Sequence, residues 1–146
     1  NVPGIVGLGT AAELALADMD TEARQVRALR DRLIEGLPAA TGAVLTGHPE
    51  RRLPGHASFC FPGLEGEAVL LGLDQKGIAA SSGSACTSGA MEPSYVLTAM
   101  GLDPATARGS LRLTLGRDNT VEEVEFCLRE LVPLVARLRA MSPLAV

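Results

Sequence analysis

The chain has 146 residues, of which 47% are apolar, and a formal charge of −4. That length suits a single domain over residues 1–146, able to bury roughly 70% of its unfolded surface, and the composition excludes a disordered chain. Acidic and basic residues are interspersed without a basic block, which argues against nucleic acid as a partner.

The longest apolar runs are broken by Arg, Asp or Gly short of the roughly 20 residues of a membrane span, and no signal-peptide pattern opens the chain, so no membrane partner is expected. The three cysteines, Cys60, Cys86 and Cys127, show no C-x-x-C spacing. This argues against a disulfide framework and a zinc site, and predicts a reducing, cytoplasmic setting.

In chain order, apolar residues from Ile5 to Leu37 recur in steps of three and four, which predicts one long amphipathic helix that Pro38 stops. Gly4, Gly7 and Gly9 do not complete a dinucleotide-binding pattern and are expected to serve close packing of the helix end. Ala43–Thr46 reads as a short strand and Gly47–Gly55 as a loop. Ala57–Phe61 reads as a strand, with Phe59 and Phe61 on one face and Ser58 and Cys60 on the other. Glu65–Gln75 reads as a helix closed by Gly77, with Lys76 as a charge at its C-terminal end.

Ile78–Ser81 reads as a further strand. Ser81–Ala90 is a run of ten small residues around Cys86, and predicts a mobile loop. Pro93 can open a short helix that runs through Tyr95–Met100. Ser110–Leu115 alternates clearly, with Leu111, Leu113 and Leu115 facing one way and Arg112 and Thr114 the other. Thr120-Val121-Glu122-Glu123 is a capping box that starts a last helix, which Pro133 should kink. The expected fold is α+β: an antiparallel or mixed sheet of three to four strands with helices packed on one face.

Cys60 and Cys127 fit core packing, in a strand and a helix. Cys86 has no apolar neighbours in sequence, so it reads either as a reactive thiol or as an incidental loop thiol. Arg112 projects from a strand whose other face is core, where a guanidinium can grip a carboxylate bidentately; a surface or structural arginine is the alternative. Arg108 and Arg117 carry less support. His48 and His56 leave a Cys–His hydrolase conceivable, since such partners meet only in space.

SSGSACTSG, the following Glu92-Pro93-Ser94-Tyr95-Val96-Leu97 and Arg108–Arg117 together resemble the NifS/IscS-type cysteine desulfurases, class V aminotransferase-like enzymes with pyridoxal phosphate. NVPGIVGLG, RLPGHASFCFPGLEGEA and RLRAMSPL extend the resemblance over essentially the whole chain. The cysteine loop is that of the long-loop branch; selenocysteine lyases and short-loop desulfurases set their cysteine differently.

The resemblance implies the small C-terminal domain of a fold-type I, homodimeric enzyme. Cys86 matches the nucleophile that takes sulfur from L-cysteine as a persulfide and leaves L-alanine. Arg112 matches the arginine that binds the substrate carboxylate. A sulfur acceptor or iron–sulfur scaffold protein is the implied partner. The Schiff-base lysine and most phosphate contacts belong to an upstream large domain that is not among these residues. The only lysine, Lys76, is in the wrong motif, so no cofactor-binding residue is expected here and the chain alone should be inactive. Gly55 departs from the family, which often has Asn after Pro54. A non-enzymatic sulfur-carrier or docking module is the rival reading.

Overall fold

The computed structural model describes residues 1–82 and 93–142. The element order is α1 (Val2–Thr41), β1 (Val44–Leu45), β2 (His56–Cys60), α2 (Gly66–Asp74), α3 (Tyr95–Ala99), α4 (Pro104–Arg108), β3 (Ser110–Thr114) and α5 (Val121–Met141). Most of the small-residue run around Cys86 lies outside the described residues.

The strands form one antiparallel sheet in the order β1-β2-β3. Strand alternation decides its two faces. Ala57, Phe59, Leu111 and Leu113 point into the main core, where they meet Leu29, Leu33 and Leu37 of α1, Val69 and Leu73 of α2, and Val124, Leu131 and Val135 of α5. The α+β expectation therefore holds, with the sheet antiparallel rather than mixed. Helices do not keep to one face, however. Leu97 of α3 and Ala107 of α4 cover Cys60 on the other face in a second, smaller cluster. Cys60 and Cys127 are both free and buried, as expected.

Three local expectations change. Pro38 does not stop α1, which runs on to Thr41. Its missing N–H costs one bond, while the last turn is held by other donors. Gly42, in the left-handed region at φ 67°, gives its N–H to the Pro38 carbonyl. Thr41 Oγ1 donates to the Leu37 carbonyl, and Arg139 reaches from α5 to the Thr41 carbonyl. The last helix, α5, continues through Pro133.

Ile78–Ser81 is not a strand among the described residues; only Ser81 bridges Arg112. The Ile78 N–H is already engaged, donating to the Leu73 carbonyl while Gly77 donates to that of Asp74. This pair closes α2 as a Schellman motif and uses the backbone a strand would need. The sequence reading also missed α4, although Asp103-Pro104 is a legible start: Asp103 Oδ1 accepts from the Thr106 N–H at 2.9 Å and Pro104 occupies the first turn. The third helix, α3, begins at Tyr95 behind Ser94, so Pro93 is not in its first turn.

The first half of α1 stands clear of the rest. Residues 1–20 are all exposed, including Val2, Ile5, Val6, Leu8, Leu14, Leu16 and Met19. A Cβ on Gly7 or Gly9 would meet nothing within 4 Å, so these glycines serve no close packing among the described residues. Contrary to the expectation from interrupted apolar runs, α1 is long and apolar enough to cross a membrane by length and composition.

Candidate functional site

The face of the sheet opposite the main core carries the polar residues. Register places Ser58 directly across from Arg112, His56 across from Thr114 and Cys60 across from Ser110. His56, Ser58 and Arg112 thus lie on one surface, with His56 and Arg112 on a diagonal where long side chains come within reach. Arg112 sits directly across from Ser58 in the β2–β3 register, and on its other side it exchanges N–H···O bonds of 2.7 and 3.1 Å with Ser81.

A groove of about 460 Å³ runs along this face. Arg51, Arg52, Arg112, His48 and His56 line it, and no carboxylate does among the described residues. The loop between β1 and β2 forms one wall, and Arg52 shapes that loop. Its guanidinium donates to the carbonyls of Thr46 (2.7 Å), His48 (2.8 Å) and His56 (3.2 Å). His48 Nδ1 accepts from the N–H groups of Glu50 and Arg51 at 3.1 and 3.0 Å, which closes a turn within the loop. The opposite wall includes Ser94 just before α3, with Val96 and Leu97.

The half-buried Arg112 makes no side-chain hydrogen bond or ion pair among the described residues, unlike Arg30, Arg32 and Arg117, which pair with Asp31, Glu125 and Glu22. His56 is half-buried too. Burial, then the charges of Arg52 and Arg112, push its imidazole below the usual range and favour the neutral form. The groove is therefore electropositive and suited to an anion.

The sequence singled out Arg112 and the structure puts it in this groove. Cys86 lies outside the described residues, but the described ends of its segment are both here: Ser81 is bonded to Arg112 and Ser94 lines the groove. His56 enters the site through tertiary structure, beside the arginine. Arg108 is exposed and ends α4, and Arg117 pairs with Glu22 at 2.9 Å; neither lines the groove. Among the described residues no group of three or more His, Cys, Asp or Glu could hold a metal.

The groove does not fit a covalently held pyridoxal phosphate. Lys76, the sole lysine, lies beyond α2 with its Nζ 3.1 Å from Glu130 Oε2, and it is not part of the lining.

An α+β small domain with this topology, carrying an arginine groove on the outer face of its sheet, matches known proteins along nearly its full length. The chain belongs to the class-V aminotransferase family, whose model matches residues 1–126. Within that family, the motif resemblance to cysteine desulfurases is borne out. The cysteine desulfurase of Gluconacetobacter diazotrophicus is 52% identical over 98% of this chain and 36% of its own length. The cysteine desulfurase NifS of Azotobacter vinelandii is 50% identical over the same shares. Among solved structures, a NifS-like protein superposes with a TM-score of 0.82 at 33% identity, over 94% of this chain and 34% of that one. The chain thus spans about a third of the length of the curated relatives it matches.

Proposed function

We propose that this chain is the C-terminal, small-domain part of a pyridoxal-phosphate-dependent cysteine desulfurase. Arg112 binds the carboxylate of L-cysteine, and Cys86 accepts its sulfur. The transfer is balanced without an outside oxidant: L-cysteine and the Cys86 thiol give L-alanine and a Cys86 persulfide, one sulfur being oxidised as the substrate Cβ is reduced to a methyl group. The persulfide then serves a sulfur acceptor or scaffold protein for iron–sulfur cluster assembly. The parent enzyme is a cytoplasmic homodimer, and its remaining length supplies the lysine that holds the cofactor and covers the exposed apolar half of α1. On this reading the chain by itself does not turn over cysteine.

One observation carries the proposal. Among the described residues Arg112 has no carboxylate partner and lines a cationic groove without acids, and Ser81 and Ser94, on either side of the Cys86 segment, are bonded to Arg112 and part of the groove lining respectively. A half-buried guanidinium in that setting is stabilised by an anion it grips in a forked geometry.

The test is alanine formation from L-cysteine by the full-length gene product. Arg112→Ala should raise KM for L-cysteine by roughly 10- to 100-fold, as expected for loss of a charged hydrogen-bonded contact of about 1.5–3 kcal/mol, and Arg112→Lys should recover part of it. Cys86→Ser should abolish the protein-bound persulfide detected by mass spectrometry. A full-length product that yields no alanine, or an Arg112→Ala variant with unchanged KM, would remove this reading and favour a carrier module.

A further inference from the structure

We infer that the groove is a two-point anion site, in which His56 and Arg112 hold the same substrate carboxylate. The inference deepens the reading of Arg112 given above and rests on it. It makes His56 a further substrate-binding residue, at a position the sequence presented only as a loop-edge histidine.

Three observations support it. Register places His56 and Arg112 diagonally on one sheet face, with Ser58 directly across from Arg112 and two residues along β2 from His56. Both side chains line the same groove, and neither has a hydrogen-bonding side-chain partner among the described residues. The β1–β2 loop is fixed by the three carbonyl contacts of Arg52, one of them to the His56 carbonyl, so the imidazole sits on anchored backbone. Preorganisation of this kind is what a binding residue needs, because little ordering remains to be done when the ligand arrives.

A pH dependence follows. The charged groups that share the groove with His56 are Arg52 and Arg51 of the loop and Arg112 of β3, with His48 as the other titratable group. From β1's end and from α3 the lining residues are Thr46, Ser94, Val96, Leu97 and Met100, none of which titrates. In the free groove burial, Arg52 and Arg112 all disfavour the imidazolium. A carboxylate on Arg112 offsets that positive field and supplies a negative charge beside the ring, so His56 binds a proton more readily in the complex. By reciprocity the carboxylate binds more tightly to the protonated state. Carboxylate affinity is therefore strongest at low pH and weakens as pH rises through the His56 titration of the complex.

The experiment uses the full-length protein with ¹³C-labelled histidine, and propionate as the probe, since it has a carboxylate but neither amine nor thiol. The His56 resonance is assigned as the one missing in His56→Gln. Saturating propionate should move the titration midpoint of that resonance upward by about one unit or more. His56→Gln should weaken propionate binding and raise KM for L-cysteine by roughly fivefold, with kcat little changed, and should remove the pH dependence of propionate binding above about pH 6, where propionate itself is ionised. Two results overturn the inference. If propionate binds in an Arg112-dependent way while the His56 midpoint stays put, the two-point site is wrong and the role of Arg112 stands. If propionate shows no Arg112-dependent binding at all, both fall together.

Discussion

Two of the three cysteines, Cys60 and Cys127, are buried, and that burial should set their reactivity. Burial pushes the Cys60 and Cys127 thiols up to about 11, with the charge of Asp103 adding to the effect at Cys60. At pH 8 roughly one in a thousand of either would be thiolate, and the thiolate is the nucleophile. Iodoacetamide at pH 8 is therefore expected to label Cys86 first in the native chain and all three only in denaturant; peptide mapping that found Cys60 or Cys127 labelled as fast as Cys86 would contradict the burial argument. At this scale the sequence was informative about Arg112, because alternation with Leu111 and Leu113 already aimed it away from the core. His56 was not legible in the same way. Its path into the groove depends on Arg52 binding three carbonyls of the loop, and no local pattern announces those contacts.

Helix ends show how far local chemistry carries. The capping box of α5 could be read directly and is formed: Thr120 Oγ1 accepts from the Glu123 N–H at 3.3 Å, and Glu123 Oε2 accepts from the Thr120 N–H at 3.1 Å. Thr120→Ala should cost about 1 kcal/mol in urea unfolding, through the orphaned N–H at the start of α5. A loss near zero would mean that this helix end is held by its packing alone. Pro38 shows the opposite case. Proline chemistry predicts a stop, yet Thr41, Gly42 and the reach of Arg139 from α5 sustain one more turn. The expected strand at Ile78–Ser81 failed for a similar reason, since hydrogen bonds that close α2 outcompeted a ladder.

Across the whole molecule, packing assigns a role to the family departure at Gly55. A Cβ built there would lie 2.1 Å from the Leu115 carbonyl oxygen and 2.9 Å from Val26 Cγ1, where α1 crosses the end of the sheet. The Gly55 carbonyl itself accepts from the Leu115 N–H at 2.9 Å, so backbone meets backbone at close range. Gly55→Ala should destabilise the chain by about 1–3 kcal/mol, because relief requires the backbone to move. Denaturant unfolding that showed an unchanged midpoint would mean the β2–β3 end yields freely. The exposed apolar half of α1 belongs to this scale as well. Its helical periodicity was plain in the sequence, but whether that surface packs within the chain depended on where the sheet and α5 end.

The sequence by itself determined the periodic elements, the sorting of core and outer residues along β2 and β3, the cap of α5 and the family motifs. Each depends on neighbours a few residues apart, and short-range patterns record such neighbours. Tertiary structure alone decided that the sheet is covered on both faces, that the first half of α1 stays exposed, and that His56, Ser58 and Arg112 share one groove. Those outcomes depend on register between strands more than fifty residues apart and on which carbonyls a single arginine can reach, and no local pattern records them.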